Sequence, residues 1–114
     1  MPSLSRSAKE SILKLVNDLV RGNYASIEVD GRIGRLTREE LERAITEYGR
    51  TLIPLPSNAL EMADAFPVLD APEHIAVDIP LWTEEEGRSD LTLSLTIIES
   101  HGVTSVSIDD LHVL

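Results

Sequence analysis

Glu84, Glu85 and Glu86 form an unbroken run of carboxylates, and Gly87, Arg88 and Asp90 follow directly. Asp109 and Asp110 are a second acidic pair, with His112 two residues on. Clustered carboxylates offer three kinds of chemistry. They supply oxygen ligands for a hard cation such as calcium or magnesium, acid/base catalysis beside a histidine, or a rim of negative charge for a basic partner. The spacing lacks the D-x-[DN]-x-[DN]-G pattern of an EF-hand, so no metal is assigned. Catalysis would use Asp109 or Asp110 with His112, or His74 with Asp78. The chain has no glycine-rich phosphate loop, no G-x-S-x-G and no H-E-x-x-H. No catalytic residue and no cofactor is assigned, and the chain reads as a binding protein rather than an enzyme.

Charge distribution supports the third chemistry. Residues 1–50 hold nine Lys or Arg against eight Asp or Glu, whereas residues 51–114 hold Arg88 alone against twelve Asp or Glu. Such a field repels nucleic acid and anionic membrane and favours a basic partner. Trp82, the one tryptophan, precedes the glutamates directly enough to serve as an aromatic anchor inside an acidic rim. The expected partner surface is therefore Trp82, Glu84, Glu85, Glu86, Asp90, Asp109 and Asp110. Arg88 is expected to hold the loop in shape, pairing with the glutamates and Asp90 or reaching back to Asp109 or Asp110.

These residues need elements to position them. The 114 residues suffice for a single domain, 1–114, with one modest core, and no apolar run approaches a membrane span. The absence of cysteine excludes disulfides and fits a reducing cytoplasm. A helix over about 5–21 follows from Ile12, Leu15, Val16, Leu19 and Val20 at helical spacing, with Ser7-Ala8-Lys9-Glu10 as a capping box. Asn23 to Leu36 reads as a loop with strand pieces at Ile27–Val29 and Arg32–Gly34. A second helix over 37–48 has Thr37 and Glu40 at capping-box spacing, Leu36 and Leu41 at staple positions, and Gly49 as its stop. A third, over 58–66, places Leu60, Ala63 and Phe66 on one side. The Asp70-Ala71-Pro72 stretch reads as a linker.

Beyond it the period becomes two. Strands over about 74–83, 90–100 and 103–113 place Ile75, Val77, Ile79, Leu81, Leu91, Leu93, Leu95 and Ile97 on one face. Asp78, Trp82, Thr92, Ser94 and Thr96 take the other. Pro80 makes the first strand a local edge or a bulge. In the last strand Val106 and Ile108 are even-numbered, while Leu111 and Val113 are odd-numbered. A β-bulge at Asp109-Asp110 reconciles them. A plain hairpin through His101-Gly102 would set Leu93 opposite Asp110, with Asp90 near Val113 and the acidic loop close to Asp109-Asp110. The fold class is α+β: two or three N-terminal helices packed on one face of a C-terminal antiparallel meander of three to four strands.

The stretches "LWTEEEGRSDLTLSLTI", "VSIDDLHVL", "LVRGNYASIE" and "LERAITEYGRTLIPLP" resemble a family of small uncharacterised bacterial proteins, a domain of unknown function. The resemblance covers nearly the whole chain and implies no established activity. The order of elements is also similar to cystatin-like and NTF2-like folds and to immunity proteins of bacterial toxin systems. The leading expectation is a non-enzymatic, immunity-like module binding a basic protein. Its alternatives are an NTF2-like ligand binder or enzyme with a pocket between helices and sheet, and a homodimer pairing through its sheet.

Overall fold

The structure, a computed structural model, describes residues 4–114. Three helices, α1 (Arg6–Val20), α2 (Tyr24–Val29) and α3 (Arg38–Tyr48), precede five strands: β1 (Leu52–Ile53), β2 (Asp64–Val68), β3 (Ala71–Thr83), β4 (Gly87–Ser100) and β5 (Val103–Val113). All the pairings are antiparallel. β5 lies beside β4 and β4 beside β3, while β1 and β2 share the far side of β3.

The stripe of α1 (Ile12, Leu15, Val16 and Leu19) is buried as its spacing requires. Its cap is Ser5 rather than Ser7: the Ser5 hydroxyl accepts the Ala8 N–H at 3.0 Å. Ser5 also donates to Glu99 (2.8 Å), which ties the cap to the sheet. Thr37 and Glu40 form the reciprocal capping box of α3, and Gly49 ends it at φ 73°.

Three expectations are corrected. Residues 24–29 are helical rather than extended, because Ile27 buries its side chain completely against the core as α2 packs between α1 and α3. The helix expected over 58–66 shrinks to a 3₁₀ turn at Ala59–Met62, and Phe66 belongs to β2. Asp70-Ala71-Pro72 is no linker: Asp70, at φ 62°, turns β2 directly into β3. With β2 and the short β1, the sheet has five strands where three to four were expected.

The alternation in β3 and β4 sets the core. Val77, Ile79, Leu81, Leu91, Leu93, Leu95 and Ile97 are all buried, and together with the α1 stripe, Ile27, Leu41 and Ile108 they form one cluster. Ile75 is only partly buried at its margin. Each fully buried Leu or Ile contributes about 1.5–3 kcal/mol relative to exposure. Pro80 falls where β3 has no partner on its far side. β2 pairing stops at Asp78 and β1 pairing starts at Trp82, so its missing donor breaks no ladder there. The strand is a local edge at Pro80 and otherwise central.

The expected bulge is present. Leu95 lies opposite Ile108 and Ser94 opposite Asp110, so Asp109 is the extra residue. Ile108 and Leu111 both reach the core as a result.

The loop after α2 closes part of the β5 edge. The Ile108 N–H donates to the Arg32 carbonyl (2.9 Å), and the Arg35 N–H donates to the Ile108 carbonyl (3.1 Å). Arg32 is anchored by Asp30 (Nε to Oδ2, 2.7 Å) and Asp18 (Nη1 to Oδ2, 2.8 Å), and its side chain is mostly buried. Burial pushes the Asp18 carboxyl up, but hydrogen bonds from Arg32 and Asn23 outweigh it and hold it below the usual range. Gly34 sits where the loop touches the strand. Its φ is +61°, and a Cβ there would overlap the Ile108 carbonyl oxygen.

Gly34→Ala is therefore expected to cost about 3 kcal/mol or more. Gly31→Ala, also at positive φ but facing open space, is expected to cost about 1 kcal/mol. Urea unfolding of the two variants separates them. Equal losses would show that the contact with Ile108 is not the constraint.

Candidate functional site

The glutamate run is a tight turn. Thr83 pairs with Gly87, so Glu84–Glu86 alone connect β3 to β4, with Gly87 at φ 74°. A three-residue hairpin loop with glycine in the left-handed region is a favoured geometry. The connection between the strands expected over 74–83 and 90–100 is shorter than those bounds imply, since Gly87–Asp90 already belong to β4.

Two of the three glutamates are engaged within the chain. Glu85 accepts the Thr51 N–H (2.8 Å) and the Thr51 hydroxyl (2.9 Å). Glu86 accepts the hydroxyls of Tyr48 (2.9 Å) and Thr83 (3.1 Å), and its own N–H donates to the Thr83 hydroxyl. The Tyr48 oxygen also accepts the Asp90 N–H (3.3 Å). The Glu84 N–H donates to the Thr51 carbonyl (2.8 Å), leaving the Glu84 carboxylate free among the described residues. The turn is thus tied to the end of α3 and the start of β1. Arg88 makes no ion pair or hydrogen bond among the described residues. The role expected of it falls to Tyr48, Thr51 and Thr83, because Arg88 sits on β4 across from Trp82 rather than inside the turn. The Trp82 ring lies over Gly87, 3.6 Å from where a Cβ would stand.

Register places the other acidic residues elsewhere. Asp110 lies opposite Ser94, seven residues along β4 from Gly87, roughly 20 Å at the rise of a strand. The proximity of the turn to Asp109-Asp110 is corrected. The bulge likewise sets Leu93 opposite Leu111 instead of Asp110, and Asp90 is level with the chain end, where its carbonyl accepts the Leu114 N–H (3.0 Å). His74 and Asp78 are four residues apart on one strand, about 13 Å, and do not pair. Asp110 does reach His112, Oδ2 to Nδ1 at 3.0 Å.

A different grouping replaces the expected one. Asp64 faces Asp78, Asp78 faces Ser94, and Ser94 faces Asp110, so one row of side chains crosses β2, β3, β4 and β5 on the face away from the helices. The Ser94 hydroxyl donates to Asp78 (2.7 Å), and Thr96, one row over, donates to Asp109 (2.6 Å). Arg35 Nε approaches Asp109 at 4.0 Å but is largely exposed, a weak screened contact. The row Pro80–Thr92–His112 and the pair Trp82–Arg88 continue the same face toward the turn. Among the described residues, no group of three or more His, Asp or Glu stands close enough to hold a metal ion.

Sequence reasoning missed Asp64, Tyr48, Thr51, Thr83 and Ser89. Thr83-Glu84-Glu85-Glu86 carries the hydroxyl-to-glutamate spacing of a capping box, which was the available signal. Ser89 fills a register shift between β3 and β4. Buried, it donates to the Leu81 carbonyl (2.7 Å) and accepts the Leu91 N–H (3.2 Å). Two hollows open at the margins of the helix layer, where Ile12, Leu15, Ile27 and Leu41 fill the space over the sheet. One of about 330 Å³ lies between α3 and the end of β5, lined by Tyr48, Leu91, Leu111 and His112 among others. The other, of about 430 Å³, lies between α1 and the start of β5.

A family described as "Domain of unknown function (DUF7668)" matches residues 16–114. The chain belongs to this family. Searches of curated proteins and of solved structures found no match. The DUF7668 region takes in α2, α3, the whole sheet and every acidic residue of the turn and of the outward row. No helix among the described residues is long and apolar enough to cross a membrane.

The Thr51 N–H, the N–H of Glu85 itself and the Thr51 hydroxyl together hold the Glu85 carboxyl below the ordinary glutamate range. A depressed folded pKa adds stability that is present above the unfolded value and lost as pH falls through the folded one. Glu85→Gln is therefore expected to lower stability at neutral pH and to flatten the acid limb of a stability–pH curve. Thermal melts between pH 3 and pH 7 check this, and an unchanged limb would remove the carboxylate from the account.

Proposed function

We propose that this chain is a non-enzymatic binding module, acting in the bacterial cytoplasm, whose uncovered sheet face engages a basic protein. The observation that carries the reading is the row Asp64–Asp78–Ser94–Asp110, with Asp109 beside it, on a half-chain whose one fixed cation is Arg88. A flat face of carboxylates speeds encounter with a cationic surface and selects against anionic ones. Trp82, partly exposed on the same face, supplies an aromatic anchor at one end. Neutralising a toxin by masking its basic working surface is one form that this binding takes.

The internal bonds of Glu85 and Glu86 narrow the contact surface. Those two carboxylates shape the turn, whereas Asp64, Asp78, Asp109, Asp110, Glu84 and Trp82 present side chains outward. Asp78→Asn keeps an acceptor for Ser94 and removes only charge.

The triple variant Asp64→Asn, Asp78→Asn, Asp110→Asn is expected to bind the partner captured by the wild type about tenfold more weakly at 0.15 M salt. Its affinity should also vary less with salt, while Glu85→Gln binds as the wild type does. Quantitative pull-down followed by titration calorimetry tests this. Equal affinity and equal salt dependence for triple variant and wild type would overturn the reading.

A further inference from the structure

The free part of the β5 edge is a second place where this chain presents unmatched groups. In an antiparallel pair, successive residues direct their N–H and C=O alternately toward and away from the neighbouring strand. Ile108 directs both away from β4, into the lane taken by the Arg32–Arg35 loop. By the two-residue period, Val106 and Thr104 direct theirs into the same lane, and no described residue pairs with them. The loop leaves that lane at Arg32, and beyond it the lane opens as the hollow of about 430 Å³. Its walls are Ser11 and Lys14 of α1, Asp30–Arg32, and Thr104–Ser107 of β5.

We infer that this lane is a docking site for an extended peptide of another protein, which adds to the sheet beside β5 and carries a carboxylate facing Lys14. The backbone half of the inference rests on the unmatched donors and acceptors, which only another extended backbone satisfies in sequence. The chain itself makes such a pairing at Ile108, two hydrogen bonds long. A peptide in the lane continues that ladder toward Val103.

The choice of occupant follows from charge and shape. A second copy would bring a further −10 of net charge against the first. It would also have to fit its own α1 beside the α1 that walls the lane. Of the two cations at the hollow, Arg32 is already held by Asp18 and Asp30. Lys14 makes no ion pair within 4.0 Å among the described residues; it lies in the field of Asp18 and Asp30, and its exposed ammonium is the cation at the hollow that no carboxylate holds directly. Serines 11, 105 and 107 are small and hydroxylic, and they leave room for side chains on either side of an added strand. None of these residues lies in the Asp64–Asp110 row, so the inference stands apart from the proposed function.

Selection of random linear peptides displayed on phage against the full chain tests it. Enriched peptides are expected to carry Asp or Glu and to slow amide hydrogen exchange at Thr104 and Val106. Lys14→Glu should weaken them about fivefold, and methylating the peptide's pairing amide about tenfold. Thr104→Pro, which removes an outward donor at an edge without touching the β4 ladder, should abolish binding while Ile97 stays protected from exchange. The inference is overturned if no peptide is enriched. It is equally overturned if the enriched peptides bind Thr104→Pro as they bind the wild type, or leave amide exchange at Thr104 and Val106 unchanged.

Discussion

Val77, Ile79 and Leu81 of β3 and Leu91, Leu93, Leu95 and Ile97 of β4 turn one face of a long ribbon toward the helices, and all seven are buried. A strand whose one face must be buried cannot slip by a single residue, since a slip would carry every apolar side chain into water. That constraint holds β3 against β4, and the rest of the sheet is assembled on it. β2 and β1 take the two free stretches on the far side of β3, separated at Pro80. β5 follows β4 and keeps its own apolar residues inward by spending Asp109 on a bulge. The outward row of aspartates is a by-product of the same register: once the inner face is fixed, Asp64, Asp78 and Asp110 have no choice but to align.

Carboxylates in this chain do two kinds of work. At the turn, Glu85 and Glu86 are acceptors for donors that the β3–β4 reversal and the end of α3 would otherwise leave to water. Around the α2–α3 loop, Asp18 and Asp30 hold Arg32, and Arg32 holds the loop on the β5 edge. On the outward face, Asp78 and Asp109 take hydroxyl donors from Ser94 and Thr96 while keeping their charge on the surface. A hydroxyl partner orients a carboxylate without neutralising it. The acidity of the second half of the chain thus has a part that shapes the turn and a part whose charge stays on the surface.

Edges are the other theme. The loop at Ile108 covers one stretch of β5, with Gly34 making the close approach that no other residue permits. β2 carries Pro67 on the opposite side, which removes a donor from that edge. Between the covered stretch of β5 and the His101-Gly102 turn the backbone stays open. An edge left open beside a walled hollow differs from one blunted by proline or charge.

Much of the fold was legible in the residues alone, because its signals are local. The capping box at Thr37, the α1 stripe, the β5 boundaries and the parity break at Asp109 all depend on neighbours within a few positions. Helix α2 was not legible: six residues with a single buried isoleucine carry too little periodicity, and packing between α1 and α3 decides their state. β2 was misread as helix because Leu60, Ala63 and Phe66 stand three residues apart, a helical spacing, although only Phe66 belongs to the strand. The candidate site was legible only as a list of acidic residues. Which of them are spent on shape depends on Tyr48 and Thr51, more than thirty positions away in the chain. Which of them stand together depends on strand register, where one bulge and one shift at Ser89 move partners by a residue or two. By itself the sequence determined the alternation and the sign of the charge. Only the tertiary structure decided where the charge is free, because hydrogen bonding and register are relations between distant segments.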